Sequence, residues 1–226
     1  FLSGDIDELG ANEENRAVMM DYQGDGLWKY TMELPASAKK FHYEYLVKSG
    51  EGIRREWGSP HSFSPGRNAG KYRLVDRWRD VPANLPFYSS AFIQGIFFRQ
   101  HADSVVETIE QGTFTVKVDA PQLRPDERLV MVGDCPELGD WDVLKAPLLN
   151  DSAFPEWQIT LDGRQLKFPF EYKFVIVRTH QREVVAWETG ENRICREKPQ
   201  NPSEAVVVSG LRFNGSESQW RGAGTA

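Results

Sequence analysis

Two indole rings carry the strongest chemical signal in this 226-residue chain: Trp141, which ends GDCPELGDW, and Trp187, in AWETGEN. A lone Trp in a β-sandwich is usually core. These two stand among Gly, Asp, Glu and Asn of turn-like segments, where a flat apolar plate with a polar rim suits ligand stacking better than burial. Trp157 opens the strand-like EWQIT and fits either role. Lys173 interrupts the apolar FEYKFVIV, where ligand contact is favoured over a solvated face, whereas Glu171 reads as ordinary surface.

Other chemistries find less support. A retaining glycosidase needs two carboxylates about 5–5.5 Å apart in a cleft, and no pair of acids here is placed on adjacent strand ends with a nucleophile signature. No catalytic residue is therefore assigned. Cys135 and Cys195 form no CxxC pair, so free thiols and a reducing compartment are expected. His42, His61, His101 and His180 give no HxxxH spacing, so neither a metal site nor a cofactor is expected.

The elements that must hold the tryptophans come in two copies. Gly4, Asp5, Glu8, Leu9, Gly10, Ala17, Trp28, Thr31, Phe41 and Tyr43 recur 129 residues later as Gly133, Asp134, Glu137, Leu138, Gly139, Ala146, Trp157, Thr160, Phe170 and Tyr172. Trp57 meets Trp187 at an offset of 130. So many identities in one register mark an internal repeat, which fixes the architecture. TFTVKV, RLVMVGD, EWQITLD, FEYKFVIV, REVVAWE and EAVVVSGLRF alternate or concentrate β-branched and aromatic residues between Gly, Pro, Asn and Asp turns. That pattern predicts an all-β fold of two antiparallel sandwiches.

Composition narrows the partners. With 27 basic and 33 acidic residues the formal charge is -6, and no Lys/Arg-rich run offers a nucleic-acid footprint. The longest apolar stretches, such as AFIQGIFF over 91–98, fall short of the roughly 20 residues that span a bilayer. The expectation is a soluble chain with neither nucleic acid nor membrane as partner. The start at Phe1, already inside an apolar run, suggests that further sequence lies upstream.

LVMVGDCPELGDWD, PEW, FPFEYKFVI and AWETGENR, in that order, resemble the starch-binding domain, carbohydrate-binding module family 20. The resemblance implies an immunoglobulin-like sandwich that binds α-1,4-glucan. It assigns Trp141 and Trp187 to stacking on two consecutive glucose units. Lys173, Glu188 and Asn192 are assigned to the hydroxyls and to fixing the site. A pyranose has C–H faces and a hydroxyl rim, so indole plates flanked by polar groups match it.

Two such modules, joined through LPFYSSAF and followed by WRGAGTA, resemble the N-terminal part of a 4-α-glucanotransferase of the amylomaltase class, glycoside hydrolase family 77. This resemblance implies a cytoplasmic enzyme whose own C-terminal catalytic domain is a partner. The expected organisation is a first starch-binding-like domain over 1–78, an apolar joining segment over 79–112, a second domain over 113–213 and a lead-in over 214–226. The joining segment, with Phe92, Ile96 and Phe97, is expected to dock and hold the copies in one orientation.

Within the first copy the site looks degenerate. Asn12 stands for Trp141 and Glu44 for Lys173. The same offsets put Gly58 at Glu188 and Ser62 at Asn192, leaving Trp57 as the one large piece. The strand matching Thr113–Val118 would fall before residue 1, so this copy is expected to lack or borrow its first strand. It keeps Tyr22 and Trp28, which resemble the family's secondary site, where the second copy has Asn150 and Asp151. The alternative to sugar binding is a structural module that docks or dimerises the enzyme.

Overall fold

A computed structural model describes residues 1–35, 37–66, 70–80 and 108–215. Phe92, Ile96 and Phe97 and the lead-in beyond residue 215 lie outside these described residues. The chain forms two compact units, one with residues 1–66 and 78–80, the other with 70–77 and 109–215.

The first unit carries β1 (Leu2–Gly4), β2 (Asp21–Gly24), β3 (Leu27–Lys29), β4 (Phe41–Ser49), β5 (Gly52–Arg55) and β6 (His61–Phe63). β4 is the organising strand: β1 pairs along one edge, while β5 and β6 share the other. Along β4, Phe41, Tyr43 and Leu46 point inward and are buried with Leu2, Leu9 and Phe63. β2 and β3 form a separate hairpin that pairs with no other strand among the described residues.

The second unit begins with β7 (Tyr72–Asp76), followed by β8 (Thr113–Asp119), β9 (Glu127–Gly133), β10 (Asn150–Ala153), β11 (Glu156–Asp162), β12 (Phe170–Arg178), β13 (Val184–Trp187), β14 (Arg193–Cys195) and β15 (Ala205–Arg212). One sheet runs β10-β11-β8-β15-β7; in the other, β12 pairs with β9 along one edge and with β14 and β13 along the other. β15 runs parallel to both β8 and β7, so the sheet is not wholly antiparallel.

Alternation explains the core. Phe114, Val116 and Val118 of β8 meet Leu129, Met131, Phe170, Tyr172, Phe174, Val206 and Val208 between the sheets. Each such side chain contributes about 1.5–3 kcal/mol by leaving water. β15 keeps its inward face past Val208 because a bulge at Ser209–Gly210 shifts the register, bringing Leu211 inside. The opposite face of β9 and β12 has its own smaller core of Val130, Val132, Val175 and Val177, capped by Ala146 from the loop after Trp141. β7, read from the sequence as the end of the first copy, hydrogen bonds into this second unit beside β15, where Ser209 also bonds to Asp76 at 2.5 Å.

The chain is therefore all-β with sandwich-type sheets. No helix among the described residues is long and apolar enough to cross a membrane.

Candidate functional site

Trp141 ends a tightly specified turn. After β9 the chain makes one 3₁₀ turn, Pro136–Leu138, closed by Gly139 at φ 83°. Asp140 and Trp141 then follow at φ 50° and 64°, and the Trp141 N–H donates to the Gly133 carbonyl at 2.7 Å. Asp134 Oδ1 accepts from the Glu171 N–H at 2.9 Å, tying the turn to β12. A Cβ on Gly133 would lie 2.5 Å from the Glu171 carbonyl oxygen, so this close approach requires glycine. A bulky residue in left-handed backbone is an outlier that costs roughly 1–3 kcal/mol and commonly marks function.

Trp187 is at the end of β13, opposite Val175 of β12. The two rings thus flank β12, one beyond each edge, with Lys173 between their anchor points on the same face as Glu171 and Val175. Trp141 is 36% exposed and Trp187 is 44% exposed, although each belongs to the residue type with most to gain from burial.

The polar residues assigned from sequence divide into two groups. Lys173 Nζ donates to the carbonyls of Gly190 at 2.6 Å and Glu188 at 3.3 Å, so the amine is held in place near Trp187. Asn192 is exposed and its Nδ2 donates to Glu171 Oε2 at 2.9 Å. Glu188 differs: it is only 3% exposed. Its carboxylate accepts from the Arg193 guanidinium at 2.9–3.0 Å and from the Phe174 N–H at 2.9 Å. It closes the gap in the β12 ladder between β13 and β14. Of the two roles assigned to Glu188, reaching sugar hydroxyls and fixing the site, this geometry serves the second.

Sequence reasoning missed Arg193, which fixes Glu188, and treated Glu171, which orients Asn192, as plain surface. The FEYKF alternation placed Glu171 on the Lys173 face and could have flagged it. Trp157, left open from sequence, is core at 2% exposure. No group of His, Cys, Asp and Glu that could hold a metal occurs among the described residues. Cys135 and Cys195 are buried free thiols, as expected. Burial pushes the Cys135 thiol up to about 11.

The first unit repeats the frame and changes its contents. The 3₁₀ turn Asp7–Leu9, Gly10 at φ 85°, Ala11 at 52° and Asn12 at 62° reproduce the Trp141 turn, including a 2.7 Å bond from the Asn12 N–H to Gly4. Asp5 Oδ1 likewise accepts from the His42 N–H at 2.8 Å.

Downstream, strand register corrects the sequence pairing. Leu46 faces Arg55 as Val175 faces Trp187, and the Tyr45 N–H donates to Glu56 as the Phe174 N–H donates to Glu188. Arg55, not Trp57, therefore stands at the place of Trp187; Glu56 matches Glu188, and Pro60, not Ser62, matches Asn192. The cause is the β12–β13 turn, Thr179–Glu183, which is three residues longer than Gly50–Glu51 between β4 and β5. The Trp identity at offset 130 was coincidental.

Arg55 fills the site position with charge, paired to both Glu44 and Glu14. Desolvation pushes the Glu44 carboxyl above its ordinary range although Arg55 draws it down. Trp57 is half-buried and its N–H donates to the Arg79 carbonyl at 2.8 Å. Tyr22 and Trp28 do come together: they are opposite one another in the β2–β3 hairpin, with ring centroids 5.0 Å apart, and are 58% and 55% exposed.

Comparison with known proteins gives one matching family model, the starch binding domain, over residues 1–68 and 111–206. No curated protein sequence matches. Solved structures with similar folds include the family 20 CBM of a maltotetraose-forming amylase from Pseudomonas saccharophila, at 21% identity and TM-score 0.34, covering 43% of this chain and 99% of that one. A glycoside hydrolase family 15 glucoamylase from Hypocrea jecorina matches at 18% identity and TM-score 0.36 over 47% of this chain. A gamma-CGTase from alkalophilic Bacillus clarkii matches at 18% identity and TM-score 0.36 over 78%. The chain spans only 18% and 19% of these last two enzymes. With the family model matched over more than half its length, this chain belongs to the starch-binding domain family.

Proposed function

We propose that the chain is the tandem, non-catalytic glucan-binding part of a cytoplasmic 4-α-glucanotransferase, and that its second unit holds an α-1,4-glucan for the enzyme's own catalytic domain. The observation that carries the binding reading is the pair of exposed indoles, Trp141 and Trp187, fixed on either side of β12 with Lys173 and Asn192 beside them. Stacking on an aromatic ring is worth about 1–3 kcal/mol in the nucleic-acid case, and two stacked rings plus a few hydrogen bonds correspond to millimolar to ten-micromolar affinity. The transferase context rests on the sequence resemblance through LPFYSSAF and WRGAGTA, and the cytoplasmic setting on that resemblance together with two free thiols.

Tyr22 and Trp28 are proposed as a secondary glucan contact. A docking or dimerisation role for the first copy is the second reading, favoured by the exposure of Met19 and Leu27 beside that aromatic pair. Calorimetric titration with β-cyclodextrin and soluble starch tests the choice. Saturable binding that depends on Trp141 and Trp187 supports the glucan reading; absence of binding by the wild-type chain leaves the docking reading.

A further inference from the structure

In both repeats an arginine bridges the same two elements, but from different places. In the first, Arg55 of β5 reaches Glu14 in the loop after Asn12. In the second, the equivalent loop position is Val143 and the equivalent strand position is Trp187, so that ion pair is gone. The bridge is rebuilt by Arg182, which lies in the longer β12–β13 turn. Its Nη1 donates to the carbonyls of Ala146 at 2.5 Å and Val143 at 3.4 Å.

The turn that carries Arg182 is itself constrained. The Arg182 backbone is left-handed at φ 52°, its N–H donates to the Arg178 carbonyl at 2.9 Å, and Arg178 pairs with Glu183 at 3.3 Å. At the other end, the bonded loop leads straight from Trp141 and caps the small outer core through Ala146. One side chain thus ties the hairpin that ends in Trp187 to the loop that begins at Trp141.

We propose that Arg182 is a positioning residue for glucan recognition, resting on the glucan-binding reading above. By moving the bridge out of the site, it frees position 187 for an aromatic plate while keeping the spacing of the two plates fixed. A ligand that stacks on both rings then meets a preformed gap instead of ordering it on binding.

The test uses the full chain in a Trp28→Ala background, titrated calorimetrically with β-cyclodextrin, with the thermal midpoint of each sample measured alongside. Arg182→Met keeps the alkyl stem and removes the donors; it should weaken binding about fivefold, the scale of one net hydrogen bond, with little change in midpoint. Arg182→Lys, which restores a donor, should recover most of the affinity. If Arg182→Ala fails to fold, the Met and Lys pair still decides the matter. Parent-like affinity in Arg182→Met, or a loss that Lys does not recover and that follows the midpoint, overturns the positioning role while leaving glucan binding intact. No binding by the parent overturns the glucan reading itself, and this inference with it.

Discussion

The two repeats begin with the same turn and place different residues at its end. Asn12 and Trp141 have the same left-handed backbone and the same bond to a glycine carbonyl. Asn tolerates that conformation through its short polar side chain, and a bulky aromatic does not. The first repeat therefore holds the residue its backbone favours, and the second holds one its backbone opposes. The strained Trp141 keeps 36% of its surface open instead of packing fully into the core, which is the arrangement the proposed glucan contact needs. The downstream half differs in charge: Arg55, locked by Glu44 and Glu14, occupies the position where the second repeat has the exposed Trp187.

The deepest shared feature is the carboxylate in the ladder gap, and breaking it should have the largest effect. Arg193→Ala leaves Glu188 buried and unpaired, which should destabilise the second unit by about 3–5 kcal/mol. In the first unit Glu56 is satisfied instead by His61 at 3.0 Å and Arg79 at 3.1 Å, so Arg79→Ala should weaken that unit alone. Urea unfolding followed separately in each unit checks this. Equal loss in both from either change would show that the pairs are not local.

Exchange at the turn should separate stability from binding. Trp187→Ala and Trp141→Asn should each lose about 1–3 kcal/mol of glucan affinity by the stacking analogy. Trp141→Asn should also unfold at higher denaturant, because relief of left-handed strain is worth about 1 kcal/mol or more. The reverse exchange, Asn12→Trp, should lower stability without creating a site, since Arg55 remains. A stabilised Trp141→Asn that still binds glucan would sink the reading of the turn.

The thiol at the position of Ile6 gives the second repeat a pH dependence that the first lacks. Cys135 has its folded value raised from 9.0 to about 11, mainly by burial. For an acid raised on folding, the unfolded chain releases its proton first as pH rises. Stability is therefore intact below pH 9 and is lost as pH climbs toward 11, by about 2 kcal/mol. Unfolding at pH 7 and pH 10.5 should show that loss in wild type and not in Cys135→Ala. In the native state at pH 7 the thiol should resist alkylation, and both cysteines should label after unfolding.

The smallest effects belong to the first repeat. Trp57→Ala and Arg55→Ala should leave β-cyclodextrin affinity unchanged within about twofold, because neither is part of an open stacking site. Trp28→Ala should weaken soluble starch by a few-fold and β-cyclodextrin less, as a linked secondary site acts only on a ligand long enough to reach both. Calorimetry with the two ligands side by side measures the difference. A large loss for β-cyclodextrin in Trp57→Ala would return the working site to the first repeat.

The repeat, the all-β class, the boundaries of β8, β11 and β12, and the two exposed indoles were all legible in the sequence. Each depends on local information: side-chain alternation sets which face is buried, and turn residues around Trp141 and Trp187 mark where the chain leaves the sheet. Strand pairing was not legible wherever loop lengths differ. The three extra residues between β12 and β13 change no local pattern, yet they move every downstream partner and make Arg55, not Trp57, the counterpart of Trp187. Burial of Trp157 was beyond the sequence, which left its role open, and exposure of Trp28 was expected only through the secondary-site resemblance, although the two residues are identical in the repeat. β11 has β8 on its second edge and packs its Trp into a sandwich core, whereas β3 has no second strand beside it among the described residues. Whether an indole is core or platform is decided by what lies across from it, and that is fixed only when distant strands meet.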